Sequence, residues 1–391
     1  MANDPMRAVD IKQHNQKMIL SMMYDRRNKG GISQSEIVQQ TGLKAPSVFR
    51  IFSALENEGF IRLLEGDNGN NLSKKGRKPS YFTVCSNIRY VIGLEFWASC
   101  ISIGVFNFNG ERIHSSSMKL SLEITAEMVI DKICVMVEGA INLLDLPKEK
   151  IFGLGVAAPG KVKVGEGKVV YYARIKGMVD FPLQKLLNER LGMSVFVHNN
   201  CSAMAYYEYC YDNKMKESIF SFLLRAGVNG TFVNNNQIYL TGDNMTLEAG
   251  HLPLNFEGPE CVCGLKGCLQ AYLIELDKEY GDLNDGLTIF SSLVKSLESK
   301  DKKAISIMDR ACLYFYDAMK VIVRVFSPKK FFFITMDEVV GEYISKGVSK
   351  LFIQNKDNFQ SYIPEITYRK YNGILAQQGA SDLVLRNVFN S

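Results

Sequence analysis

The 391-residue sequence predicts an α/β protein in two parts: a small helical unit with a β-wing, then a long α/β region made of two similar halves. Three observations support this. A capped short helix, a turn glycine and a second amphipathic helix precede two alternating segments around a polar tip. From Tyr90 the pattern changes to three strand-like runs followed by alternating helices and strands, as in an α/β domain. A second set of strand-like runs opens with "SIFSFLLRAGVNGTFVNNNQIYL" and restarts a hairpin at Asn234 to Asn236. Two such halves imply a cleft between them in which a small ligand can sit. The division into units is placed at 1–87 and 88–391.

In chain order, Ile11 to Tyr24 carries Ile11, Met18, Ile19, Met22 and Met23 on one helical stripe, and the helix is expected to end before "RRNKGG". In "GISQSEIVQQTGL", Ser33 with Glu36 three residues on forms a capping box, and Gly42 ends the helix. The next helix, "KAPSVFRIFSALENEGFI", turns Val48, Ile51, Phe52 and Leu55 inward and leaves Lys44, Ser47 and Arg50 outward. This is a helix-turn-helix with a candidate recognition helix. "IRLLEGDNGNNLSKKGRKPSYFTV" then reads as two strands around a tip bearing Lys74, Lys75, Arg77 and Lys78, an extended loop able to place Arg77 in a minor groove. A three-helix module that binds protein, or a charged linker, would share these features. Double-stranded DNA is the expected partner because cap, turn, outward basic residues and basic wing agree.

In the long region, "YVIGLEFWASCISIGVFNFNGERIHSSSMKL" gives three strands with a turn at Asn109-Gly110, and a helix follows from about Thr125 to Leu144. "IFGLGVAAPG" is a buried strand ending in a Pro-Gly turn. Leu183 to Leu191 is a helix, and "SVFVHNN" is a strand leading to a helix from Ser202.

Charge is unevenly spread. Up to Arg89 there are 14 Lys and Arg against 8 Asp and Glu, a surplus of six; the remaining 32 and 33 leave −1. A local basic surplus suits phosphate neutralisation, although ordinary surface lysines give a similar count. Neither a signal segment nor an apolar run of roughly 20 residues is present, so a soluble, cytoplasmic protein with reduced thiols and no membrane partner is expected. Six of the nine cysteines (Cys85, Cys100, Cys134, Cys201, Cys210 and Cys312) stand singly and read as small core hydrophobes.

The other three lie in "GHLPLNFEGPECVCGLKGCLQAY". His251, Cys261, Cys263 and Cys268 give the spacing H-x9-C-x-C-x4-C over 251–268, with Gly264 and Gly267 allowing tight turns between thiols. Three thiolates and an imidazole favour tetrahedral Zn²⁺, and four protein ligands make its role structural. A redox switch would leave the histidine without a role.

With "EAGH" (Glu248 to His251) before "CVCGLKGC", this stretch resembles the zinc signature of the ROK family (repressors, open reading frames and sugar kinases). "GRKPSYFTV", "GLGVAAPGKV" and "VFVHNNCSAMA" resemble its wing end, its Pro-Gly strand and the stretch holding Glu-Asn-Asp-Ala-Asn in its kinases. The resemblance implies a winged helix-turn-helix joined to an actin-like, ribonuclease-H-like two-lobed domain, assembled as a homodimer or homotetramer. It also implies that kinase residues are lost. Asn200 stands at the catalytic aspartate, "EFWAS" at the first phosphate loop, "RAGVNG" at the second and "ITMDEV" at the adenosine-facing glycine pair.

By the same resemblance Asn199, Asn200, Glu248, His251 and Gln270 would contact a sugar, while Ile175 replaces a sugar-touching asparagine and "GKVKV" lacks an acidic residue. Isolated, Glu248 would be an ordinary helix-start or surface carboxylate, and Asn199 and Asn200 strand-end caps. Arg174, Lys176 and Arg225 leave a sugar phosphate open. The expectation is a transcriptional regulator, in the first place a repressor, of carbohydrate-metabolism genes under a sugar or sugar-phosphate effector, and not an enzyme. The alternatives are a repressor controlled by a protein partner and a residual ATP-dependent sugar kinase.

Overall fold

A computed structural model of the chain describes residues 8–27, 29–64, 79–211, 216–281, 288–355 and 362–390. The N-terminal unit contains α1 (Ala8–Arg26), β1 (Ile32–Ser33), α2 (Gln34–Thr41), α3 (Ala45–Asn57), β2 (Ile61–Leu63) and β3 (Tyr81–Val84). Helix α1 runs two residues past Tyr24, into the "RR" expected to lie beyond it. The Ser33 side chain accepts from Glu36 N while the Glu36 carboxylate accepts from Ser33 N, closing the capping box. Gly42 caps α2 in the left-handed region. Strands β2 and β3 pair antiparallel as the wing, with β1 on the outer side of β3.

The first lobe holds β4 (Tyr90–Trp97), β5 (Cys100–Asn107), β6 (Arg112–Lys119), α4 (Ala126–Leu143) and β7 (Ile151–Ala158). A small sheet of β8 (Lys161–Lys163), β9 (Lys168–Tyr171) and β10 (Val179–Phe181) follows, then α5 (Leu183–Leu191), β11 (Val195–Asn199) and α6 (Asn200–Tyr211). Helix α6 starts two residues before the expected Ser202 because the Asn199 carboxamide oxygen caps it, accepting from Cys201 N at 2.8 Å.

The second lobe holds β12 (Ile219–Leu224), β13 (Val228–Asn234), β14 (Gln237–Ile238), α7 (Leu269–Tyr280), α8 (Val294–Glu298) and α9 (Lys302–Phe326). After them come β15 (Lys330–Thr335), α10 (Glu338–Gln354), β16 (Glu365–Lys370) and α11 (Gly373–Asn390).

The lobes repeat one topology. Sheet β11-β7-β4-β5-β6 and sheet β14-β13-β12-β15-β16 each join an antiparallel meander of three strands to two further strands laid parallel to the first. This is the ribonuclease-H-like unit, used twice. Aliphatic residues such as Ile92, Leu94, Val129 and Ile133 fill the first core, and stacked phenylalanines, Phe222 on Phe333 at 5.5 Å among them, fill the second.

Helix α11 returns from the second lobe to the first and wedges against α6 and β4. Its Gly379 lies so close to α6 that an added Cβ would come within 1.9 Å of the Ala203 carbonyl oxygen. The C-terminal half of α11 also completes the core of the N-terminal unit: Ile19, Met23 and Phe52 pack in one cluster with Phe108, Leu385 and Phe389. Packing is thus continuous across residues 87 and 88. Of the six isolated cysteines, Cys134, Cys201 and Cys312 are buried as expected, whereas Cys85, Cys100 and Cys210 are only half-buried.

Candidate functional site

Helix α3 exposes one face made for an external surface. Val48, Ile51, Phe52 and Leu55 are buried, while Lys44, Ser47 and Arg50 stand outward, as the sequence pattern required. The same face carries Phe49, 59% exposed, which the sequence reading passed over. An exposed aromatic beside basic residues is suited to apolar contact with a thymine methyl. Lys74, Lys75, Arg77 and Lys78 of the wing tip lie outside the described residues.

The four zinc-signature residues converge. His251 sits at the end of a 3₁₀ turn, Cys261 and Cys263 on the following loop, and Cys268 at the N-cap of α7; their ligand atoms all lie within 4.8 Å of one another. Cys261 Sγ is 3.3 Å from His251 Nδ1, and Cys263 Sγ is 3.7 Å from Cys268 Sγ. Sulfurs bonded at about 2.3 Å to a tetrahedral zinc stand about 3.8 Å apart, so the donor set and its size fit that ion. Gly267, with φ +71°, lets the loop press on the Asn255 carbonyl where any Cβ would collide.

Beside this cluster, between the lobes, opens a cavity of about 500 Å³. Asn200, Glu248, His251 and Gln270 border it together. Asn199 does not; its amide donates to Gly160 O at 2.7 Å and its oxygen caps α6, so it holds the Pro-Gly turn against the helix start. Asn200 Oδ1 accepts from Cys201 N at 2.9 Å, and Gln270 Oε1 from Val228 N at 3.0 Å. Glu248 Oε2 accepts from Lys161 Nζ at 2.6 Å, so the lysine of "GKVKV" holds one oxygen of the pocket's carboxylate. Of the basic residues, Arg174 and Arg225 border the cavity and Lys176 does not. Ile175 is buried in the first lobe's core and does not border the cavity. Trp97, Tyr171, Tyr172 and Asn229 also line the cavity; their chain positions gave no signal of this, because the end of β4, the end of β9 with the loop after it, and the start of β13 come together only in the fold.

The floor of the cleft is an ion pair between lobes. Arg225 Nη2 donates to Glu95 Oε1 at 2.7 Å, and the Tyr371 hydroxyl donates to the other Glu95 oxygen at 2.6 Å. The guanidinium is sandwiched between Trp97 and Tyr371, 4.6 and 4.5 Å from the ring centroids. "EFWAS" and "RAGVNG" therefore meet through charge and aromatic faces. Phe96, by contrast, points into the core.

At the far end of α6 lies the joint with the winged helix. Arg27 Nη2 donates to the Tyr211 hydroxyl (2.5 Å), and Tyr211 and Tyr24 both donate to Asp382 Oδ1 of α11 (3.2 and 2.9 Å). Burial pushes the Asp382 carboxyl up from 3.8 to about 6, against the opposing pull of Arg27. The same burial raises the Tyr24 and Tyr211 phenols well above their ordinary value.

Comparison with known proteins agrees with this architecture. Residues 13–62 match the winged helix-turn-helix DNA-binding model, and residues 91–387 match the ROK family model. The chain is 26% identical over 75% of its length to a xylose repressor of Bacillus spizizenii, and it spans 65% to 70% of the length of the xylose repressors it matches. Its fold resembles the crystal structure of a ROK family transcriptional regulator, a homolog of the E. coli MLC protein, with a TM-score of 0.79, 16% identity and 97% of each chain covered. It also resembles a ROK family glucokinase from Streptomyces griseus, with a TM-score of 0.63, 20% identity, and 75% and 98% of the two chains covered. The match over residues 91–387, together with the interlobe cleft and the converged His251, Cys261, Cys263 and Cys268, makes the chain a member of the ROK family bearing an N-terminal winged helix-turn-helix.

Proposed function

We propose that the chain is a sugar-responsive transcriptional repressor of carbohydrate-metabolism genes, whose winged helix binds an operator and whose cleft binds a sugar or sugar-phosphate effector. The observation that carries this is the course of α6. Asn200 at its start borders the cleft; Tyr211 at its end, about 16 Å on, is bonded to Arg27 of the winged helix. Near the end of α6, buried Glu208 pairs with Lys330 of β15 and Arg369 of β16, at 3.1 and 3.0 Å. One helix thus touches the cleft, both lobes and the DNA-binding unit. A ligand that favours one lobe angle biases the placement of α3, and in a two-fold homodimer or homotetramer that alters the match to two half-sites.

Residues His251, Cys261, Cys263 and Cys268 would hold Zn²⁺ in a structural role. Bound there, the ion supplies cross-linking and no open coordination position. It would tie the 3₁₀ turn bearing Glu248 to α7, fixing the wall of the effector site. Asn199 would contribute by positioning the Pro-Gly turn and Asn200 by contact.

The relatives include both repressors and kinases. Support for a non-enzymatic role comes from Asn200, whose amide cannot take up a hydroxyl proton as a carboxylate does, and from the Arg225 and Trp97 side chains that fill the cleft floor. Incubation with Mg-ATP and a hexose panel should give no sugar phosphate above the protein-free rate. Turnover would make the chain a kinase instead. Control by a protein partner is favoured by a different observation: the metal loop exposes Phe256, Val262 and Leu265. In that case no sugar would raise the unfolding temperature. No helix among the described residues is long and apolar enough to cross a membrane, in keeping with a cytoplasmic regulator. The test of function is DNA binding by the full chain to its own upstream region, with and without sugars: specific binding supports a regulator, and its absence overturns it.

A further inference from the structure

Beside the cleft, residues 244–248 of the second lobe lie along β8 of the first. Val164 N donates to Asn244 O (2.9 Å), Thr246 N to Val162 O (3.1 Å) and Val162 N to the Thr246 hydroxyl (3.4 Å), with Lys163 and Met245 facing each other as an antiparallel bridge. One side chain contact completes this clasp. Lys161, whose backbone follows the Pro-Gly turn held by Asn199, reaches across to Glu248, whose backbone is bridged to Gly230 of β13. Lys161 Nζ lies 2.6 Å from Glu248 Oε2, and the two side chains are 32% and 38% exposed. An ion pair so open to solvent adds little to stability, and the backbone bonds beside it already join the segments. Lys163 on the same strand offers the contrast, because its side chain pairs with Glu166 of its own hairpin at 2.7 Å and spans no gap between lobes.

What distinguishes the Lys161–Glu248 pair is where it stands. Both residues border the cavity, and among the described residues that do so Glu248 alone carries a carboxylate. The side-chain oxygens of Asn200 and Gln270 are taken by backbone N–H groups. The hydroxyl donors of a sugar therefore have Glu248 as their charged acceptor, and two adjacent hydroxyls match the two oxygens of one carboxylate. One of those oxygens carries the lysine. We propose that Lys161 is a tethered counter-ligand of the effector: its ammonium and a sugar diol compete for the same Glu248 oxygen, so that ligand capture and the breaking of this tie between the lobes are one event. Lysine suits the part, since its charge rides on a flexible four-carbon stem that can swing into solvent when displaced. The competition lowers effector affinity and couples it to lobe angle, because a rotation that draws β8 away from residues 244–248 also withdraws the ammonium. This rests on the cleft being the effector site.

The experiment is isothermal titration of the full chain with D-xylose and D-glucose, at fixed salt and near-neutral pH, for wild type, Lys161→Met and Lys163→Met, alongside the operator affinity of each without sugar. Lys161→Met keeps most of the side chain's length and removes its charge; because the pair is exposed, the variant should fold as wild type does. It should bind at least one of the two sugars about two- to fivefold more tightly than wild type, the size of a part-exposed ion pair. Its operator affinity without sugar should move toward that of sugar-saturated wild type. Lys163→Met, with the same change of charge on the same strand, should match wild type in both readings. Equal sugar affinity in Lys161→Met and wild type overturns the competition, and weaker binding overturns it by making Lys161 a contact of the ligand. Tighter sugar binding with an unchanged operator affinity overturns the tie between lobes. If neither sugar binds any of the three proteins while all of them bind the operator, the effector site itself fails, and the counter-ligand with it.

Discussion

Arg225 and Glu95 join the two lobes at 2.7 Å, with side chains 9% and 0% exposed, on the floor of the cleft. Removing one partner of a buried pair strands the other charge, at a cost of about 3–5 kcal/mol. Glu95→Ala should lower stability by about that amount in urea denaturation, and Glu95→Gln, which keeps a hydrogen-bond acceptor, by less. A loss under about 1 kcal/mol for Glu95→Ala would show that the lobes do not depend on this contact.

The joint beneath the winged helix should respond to acid. Asp382 has its folded value near 6, above its ordinary 3.8, so the folded chain takes up this proton more readily than the unfolded chain. The contribution to stability is full below about pH 4 and is lost as pH rises through about 6. Asp382→Asn removes the titration. Its unfolding midpoint relative to wild type should therefore rise from pH 4 to pH 7, and a constant difference would argue against the assignment.

Metal removal should act on fold and ligand binding together. Purified protein should contain about one zinc per chain by atomic absorption, and Cys268→Ser should contain far less. Chelation should lower the unfolding temperature by roughly 5 °C or more and weaken sugar binding, because an ion held by His251 and the three cysteines would brace the turn next to Glu248. Full sugar affinity in chelated protein would separate the metal from the pocket.

On the DNA side, Arg50→Ala should weaken operator binding by about 1–3 kcal/mol and relax its sequence preference, as expected of a base-edge contact. Lys44→Ala should weaken binding to all sequences alike and reduce the salt slope by about one. Phe49→Ala should lower affinity with little change in stability, since that ring is exposed. Fluorescence anisotropy over a series of salt concentrations separates the three. Equal effects from all of them would show that α3 touches only the backbone.

The elements that were legible in the sequence are those with local signatures. The Ser33–Glu36 box, the Gly42 cap, the α3 face and the His–Cys set each depend on residues within a few turns of one another, and each stands where the spacing placed it. What was illegible is non-local. Helix α11 carries no sequence mark of its return to the first lobe, although Gly379 and Phe389 are needed for it. Asn199 was expected at the sugar because it matches the first asparagine of the family's kinase motif, whereas in the fold its amide donates to Gly160 O. The Lys161–Glu248 pair joins residues 87 positions apart, and no periodicity reports such a meeting. Tyr211 and Asp382 likewise become neighbours only through α6–α11 packing.

The coupling of cleft to operator through α6 is tested most directly by one titration. Operator affinity of the full chain is measured at fixed salt, with and without a saturating sugar shown to bind, for wild type and for Tyr211→Phe, which loses the hydroxyl shared by Arg27 and Asp382. In wild type the sugar should change affinity about tenfold or more, and in Tyr211→Phe markedly less, with sugar binding preserved. A sugar that binds wild type and leaves its operator affinity unchanged would contradict the coupling.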